Sequence, residues 1–173
     1  MKTKNLELVA AQLALGLVLP EELPRVAVDA LEAGCDSPSL RVLAGLTMTE
    51  IGEARQLFDR VLGELQLRNA SRQQAVVQLA KERAREILSG ERSPYQGAKE
   101  IWQLSLRLHE VHLPELDSFI YYASEWENRP EDRYVFEAGI VDAARELLGF
   151  RSEVSGRCLA SLRGSDAQKK RRQ

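Results

Sequence analysis

Apolar side chains recur along this chain at steps of three and four residues, which is the spacing of an amphipathic helix. One such series is Ile51, Ala54, Phe58, Val61 and Leu65, and a second is Val76, Ala80, Ala84 and Ile87. No segment sustains the strict alternation of apolar and polar residues that marks a half-buried strand. The pattern therefore predicts an all-α protein. Seven helices are expected near residues 4–17, 21–33, 38–45, 49–66, 72–89, 94–109 and 114–128, with an eighth near 130–148.

The breaks between these series carry helix-capping residues. Capping boxes are predicted at Thr47 with Glu50, Ser71 with Gln74, and Ser93 with Gln96, and Ser37 precedes a proline in the same way. Glycines just past the apolar series, at Gly34, Gly90 and Gly149, suit left-handed C-terminal positions. The links are short, so sequential helices are expected to pack as neighbours in a single-domain helical bundle.

The charges are distributed unevenly between the body of the chain and its end. Residues 1–150 hold 17 Lys and Arg against 24 Asp and Glu, whereas residues 151–173 hold 7 basic and 2 acidic residues. The apolar period stops after residue 149, and the remaining segment is rich in Ser, Gly and Arg. We therefore predict a helical domain over 1–150 and a mobile basic tail over 151–173.

The composition favours a cytoplasmic protein. Two cysteines do not make a disulfide framework, and no run of 18 apolar residues exists to form a transmembrane helix. Two lysines precede the first apolar stretch, as in a secretory signal, but Glu7 and Gln12 interrupt that stretch. We therefore expect an ordinary amphipathic first helix. We also expect that the partner is neither a membrane nor a nucleic acid.

No catalytic, cofactor or metal site is predicted from motifs. The histidines, His109 and His112, are three residues apart, and Glu110, Glu115 or Asp117 could complete a metal set, so a metal site is one hypothesis. The four-residue spacing of a metalloprotease helix is absent, and Pro114 follows closely, so an exposed helix end is the favoured interpretation. Glycines fall singly and form no phosphate loop. An enzyme with a pocket between helices stays open, because such a pocket needs no motif.

Residues 21–46 resemble a helix-turn-helix in spacing. Ala30, Gly34, Leu40 and Leu43 match the small residue, the turn glycine and the apolar positions of that motif, with Cys35 after the turn. A recognition helix also needs cations for phosphates and base edges, and the segment "SPSLRVLAGL" offers Arg41 alone. We favour a corner where two helices pack, and keep a DNA-binding regulator as the alternative function.

Aromatic residues concentrate near the end of the predicted domain, where eight of the ten lie within residues 95–136. Phe119 and Trp126 share a helix face with core positions, whereas Tyr121 and Tyr122 lie beside it. The predicted partner-binding residues are Tyr121, Tyr122, Glu125, Glu127, Glu131 and Asp132. Tyrosines rimmed by carboxylates suit a basic protein partner. The alternative is that the tyrosines cover a helix edge while the acids solvate a turn.

Three segments, "SPSLRVLAGL", "LSGERSPYQGAKEIWQL" and "FIYYASEWENRPEDR", resemble small all-helical bacterial proteins across most of residues 20–150. The resemblance implies an all-helical fold and brings no activity or site with it. In size and acidic charge the chain is also similar to immunity proteins, which neutralise a toxin by covering it. The leading prediction is a non-enzymatic protein-binding module, immunity- or antitoxin-like or an adaptor.

Overall fold

The part of the chain that the structure describes contains eight α-helices and no strand. The structure is a computed structural model that describes residues 4–47, 49–108 and 111–150. The helices are α1 (Lys4–Ala14), α2 (Leu23–Glu32), α3 (Pro38–Ala44), α4 (Ala54–Glu64), α5 (Arg72–Ser89), α6 (Pro94–Ser105), α7 (Asp117–Asn128) and α8 (Arg133–Leu147). The all-α prediction is therefore confirmed. The predicted tail, 151–173, lies outside the described residues, and none of the described helices is long and apolar enough to cross a bilayer.

The predicted serine caps are present at three helix starts. The Ser71 hydroxyl accepts from the Gln74 backbone N–H at 3.3 Å, while the Gln74 side chain accepts from the Ser71 N–H at 3.0 Å. Ser37 and Ser93 each accept one backbone N–H of their helices. These bonds satisfy N–H groups that have no partner inside the helix, so they fix where α3, α5 and α6 begin.

Several helices are shorter than the apolar pattern predicts. The first helix ends at Ala14 rather than near residue 17, because Gly16 takes a positive φ of 67° and turns the chain. Thr47 donates to the Glu50 carboxylate, but α4 starts only at Ala54. Short 3-10 turns precede four of the helices, at Pro20–Glu22, Ile51–Glu53, Pro114–Leu116 and Pro130–Asp132.

Two hydrophobic clusters share α1 between them. The first is built on α2, α3 and α4 and includes Leu23, Leu40, Leu43, Phe58 and Leu62. The second is built on α5 to α8 and includes Val76, Ile101, Phe119 and Ile140. From α1, Leu6 and Leu13 enter the first cluster, whereas Ala11 enters the second together with Leu15, the residue that follows the helix. One amphipathic helix therefore forms a wall common to both clusters.

A closed ring of ion pairs joins α5 to α6. Arg83 pairs with Glu86 and with Glu100, and Arg92 pairs with the same two carboxylates. The Arg83 Nε lies 2.7 Å from a Glu100 oxygen, and the Arg92 Nε lies 2.6 Å from a Glu86 oxygen. Beneath the ring, Gly97 lets the Ile87 side chain approach the α6 backbone closely. The turn between these helices is therefore held by both packing and charge.

Candidate protein-binding surface

The two predicted tyrosines lie together on α7 but have different surroundings. Their rings meet edge to face, with centroids 5.2 Å apart. Tyr121 is 56% exposed. Tyr122 is half-buried against α8, where a Cβ on Gly139 would lie only 2.6 Å from the Tyr122 Cζ. The absence of a side chain at Gly139 therefore makes room for the Tyr122 ring, and the Tyr121 ring contacts that ring.

The start of α8 adds two exposed side chains that the sequence analysis did not assign to the surface. Tyr134 is 74% exposed and Val135 is 47% exposed. Val135 lies one helical turn before Gly139 and therefore shares a face of α8 with it. The buried residues of α8 begin at Phe136 and recur at helical spacing, which leaves Tyr134 and Val135 off the buried face. That spacing is the sequence signal that could have identified the two side chains as exposed. We call Tyr121, Tyr122, Tyr134 and Val135 the tyrosine surface.

Trp126, also on α7, contacts side chains of both α6 and α8. Phe119 is fully buried as predicted, whereas Trp126 is half-buried and stacks on Tyr95 of α6, with ring centroids 3.8 Å apart. The Arg133 guanidinium lies 3.8 Å from the Trp126 ring on a cation–π contact. The indole N–H donates to Glu137 at 3.1 Å. The tryptophan thus connects α6, α7 and α8.

Two of the predicted acids share one arginine in the turn between α7 and α8. Arg129 forms an ion pair with Asp132 and lies 3.5 Å from a Glu125 oxygen. The charge of Asp132 raises the pKa of Arg129, whose guanidinium is protonated at any physiological pH. Glu125 lies in the last turn of α7 and Arg129 follows the helix end four residues later, a spacing that brings opposite charges together.

A third predicted acid, Glu127, is turned towards α6. It accepts from the Lys99 Nζ at 2.8 Å and from the Tyr95 hydroxyl. The hydrogen bond from Lys99 is the main reason that the pKa of Glu127 is lowered, and the same bond raises the pKa of Lys99. This carboxylate therefore belongs to the contact between α6 and α7.

Glu131 is the fourth predicted acid, and it is exposed in the turn. Among the described residues no hydrogen bond or ion pair reaches its side chain. The sequence predicts an acidic surface, and three of its four carboxylates are paired in the fold with Arg129 or Lys99. Glu131 is therefore the one of these four acids that has no ion-pair partner among the described residues.

The segment that resembles a helix-turn-helix packs as a corner. Leu40 and Leu43 are fully buried in the first cluster, and Arg41 is paired with Asp36. The first turn of α3 is hydrogen-bonded to the end of α4. There the Glu64 carboxylate accepts from the Ser39 N–H at 3.0 Å and from the Ser39 hydroxyl at 2.6 Å. The one cation that the recognition-helix hypothesis depends on is thus engaged within the corner.

The two histidines are not seen together. His109 and Glu110 lie outside the described residues, and the His112 Nε2 lies 2.8 Å from an Asp117 oxygen at an exposed position. Within the described ranges no three side chains of metal-binding type form a cluster.

No protein-family model, no curated protein and no solved structure matches this chain.

Proposed function

We propose that this protein is a protein-binding module that uses the tyrosine surface to bind a protein with an apolar patch and a basic rim. The observation that carries the proposal is the exposure of Tyr121, Tyr134 and Val135 on two adjacent helices. Tyrosine is enriched at interfaces because it offers a large contact area, has few rotatable bonds and carries a polar end.

The rigidity of the surface supports the proposal. Tyr122 is seated on Gly139, and Trp126 is held between Tyr95 and Arg133. Side chains that are already ordered lose little conformational entropy when a partner binds, so more of the contact energy is available for affinity. A surface on helices that are packed against each other therefore suits a stable complex better than a surface on a loop.

The charge of the body supports a basic partner. Residues 1–150 carry 24 acidic against 17 basic side chains, and Glu131, exposed in the turn before α8, has no ion-pair partner among the described residues. The electrostatic attraction of these acidic side chains speeds association with a cationic protein more than it strengthens the final complex. An immunity- or antitoxin-like inhibitor that covers a basic protein in the cytoplasm is the specific form that we propose.

The proposal is tested by comparing three immobilised baits in extract from the native cell. The baits are the full chain, a Tyr121→Ser and Tyr134→Ser double variant, and a control with Val42→Ser and Leu106→Ser, which removes exposed apolar side chains elsewhere. We expect one protein to be retained by the full chain and the control and lost from the tyrosine variant. The purified protein should then bind the tyrosine variant about tenfold or more weakly, because interface tyrosines are frequent hot spots.

Capture that depends equally on the two pairs of substitutions would contradict the proposal, as would a full chain that retains nothing. Self-association through the tyrosine surface would also contradict it, and would appear as a dimer in light scattering that the double variant abolishes.

A further inference from the structure

A cavity of about 180 Å³ lies where α1 meets α5 and α6, away from the tyrosine surface. Its lining includes the buried leucines Leu79 and Leu104 and the amide side chains of Gln12 and Gln103. Buried leucines offer contact to an apolar group, and amides offer donors to an oxygen. The cavity therefore combines the two kinds of contact that a small amphipathic molecule needs.

The charged groups around this cavity do not cancel. Arg83 and Glu100 line it as well, but they belong to the ion-pair ring with Glu86 and Arg92, which contains equal numbers of both charges. Leu17 and Arg107 complete the lining, and within the described ranges no carboxylate lies at ion-pair distance from Arg107. The cavity is left with one positive charge in excess.

Arg107 is also held in position. One of its Nη atoms donates to the carbonyl oxygen of Leu15, just beyond the end of α1, at 3.3 Å. A guanidinium has several N–H groups, so the remaining donors stay available in a fixed plane. An anchored guanidinium of this kind matches a planar carboxylate, which it can bind with two parallel hydrogen bonds.

We infer that this cavity binds a small carboxylate with a compact apolar body. Arg107, Gln12 and Gln103 donate to the carboxylate, while Leu79 and Leu104 contact the body. One excess positive charge suits a monoanion, and the Glu100 carboxylate in the wall disfavours a dianion such as phosphate. A protein cavity of roughly 150 Å³ is large enough for benzene, so a ligand of about the size of benzoate fits.

Benzoate is the probe, and the full chain labelled with ¹⁵N is titrated with it. We expect saturable shifts of the side-chain amide signals of Gln12 and Gln103. Benzamide, which has the same shape without the charge, should bind about tenfold or more weakly, because charge-assisted hydrogen bonds are the stronger ones. Arg107→Gln should weaken benzoate binding by a similar factor, whereas Arg55→Gln, at an exposed position on α4, should leave it unchanged.

Absence of benzoate shifts in the full chain would overturn the inference. Equal binding of benzoate and benzamide would do so too, and this comparison needs no substitution. If Arg107→Gln lost its helical circular dichroism, Gln103→Ala at an exposed position would replace it, and unchanged affinity in that variant would count against the site. Every one of these outcomes is independent of the tyrosine surface.

Discussion

Leu43 and Arg41 lie on the same short helix and have opposite surroundings. Leu43 is fully buried, whereas Arg41 is exposed and paired with exposed Asp36. Leu43→Ala should lower the free energy of unfolding by about 2–5 kcal/mol, the usual cost of emptying a buried leucine site. Arg41→Ala should leave it nearly unchanged, because exposed ion pairs contribute little. Urea unfolding of the two variants checks this, and a large loss for Arg41→Ala would show that the corner depends on charge.

Gly139 decides where the Tyr122 ring lies. In Gly139→Ala the new methyl group would overlap the ring, so the ring must move and the protein should lose about 1–3 kcal/mol of stability, as overpacked sites do. Gly63 on α4 is the matched control, since a Cβ there meets nothing within 4 Å. Gly63→Ala should stabilise the protein by up to about 1 kcal/mol through helix propensity. Equal effects at the two glycines would contradict this account of Tyr122.

At the scale of the element, α3 depends on a carboxylate from another helix. The bonds from the Ser39 hydroxyl, chiefly, and from its backbone N–H lower the pKa of Glu64 below its ordinary value of 4.5. Because the folded pKa lies below the unfolded one, the stabilisation is fully present above the unfolded pKa. It is lost as the pH falls through the folded pKa.

Glu64→Gln should therefore destabilise the protein at pH 7, and the difference from the original chain should shrink as the pH falls below about 4. Urea unfolding of both proteins across that range measures it. A difference that stays constant with pH would mean that the carboxylate charge does not hold α3.

The helix ends show which contacts a sequence can reveal. Ser71 and Gln74 are three residues apart, so their mutual bonds follow from spacing alone, and the cap was predicted correctly. Glu64 lies 25 residues from Ser39, and no local pattern brings them together.

The same distinction governs the candidate surface. Glu125 and Arg129 are one turn apart, so their pairing was open to prediction from the sequence. Glu127 and Lys99 meet only because α6 packs beside α7, and the stacking of Tyr95 on Trp126 has the same origin. The pairing of Glu127 was not predicted, because Lys99 lies on another helix and 28 residues away along the chain.

At the scale of the molecule, α1 couples the two hydrophobic clusters. Both tryptophans lie outside the first cluster, on α6 and α7, so their fluorescence reports on the α5 to α8 side. Leu6 is fully buried in the first cluster, and Leu6→Ala should cost about 2–5 kcal/mol. If α1 transmits this loss, the tryptophan and circular dichroism transitions should shift together. A tryptophan transition that stays in place would show that the clusters unfold independently.

The four tyrosines of the chain allow the proposed binding surface to be tested within one molecule. The protein is labelled with 3-fluorotyrosine, each ¹⁹F signal is assigned by a Tyr→Phe variant, and the captured partner is added. The signals of Tyr121 and Tyr134 should shift on binding. The signal of Tyr95 should stay in place, because that ring is stacked on Trp126 and bonded to Glu127. Unchanged Tyr121 and Tyr134 signals in a saturated complex would contradict the account.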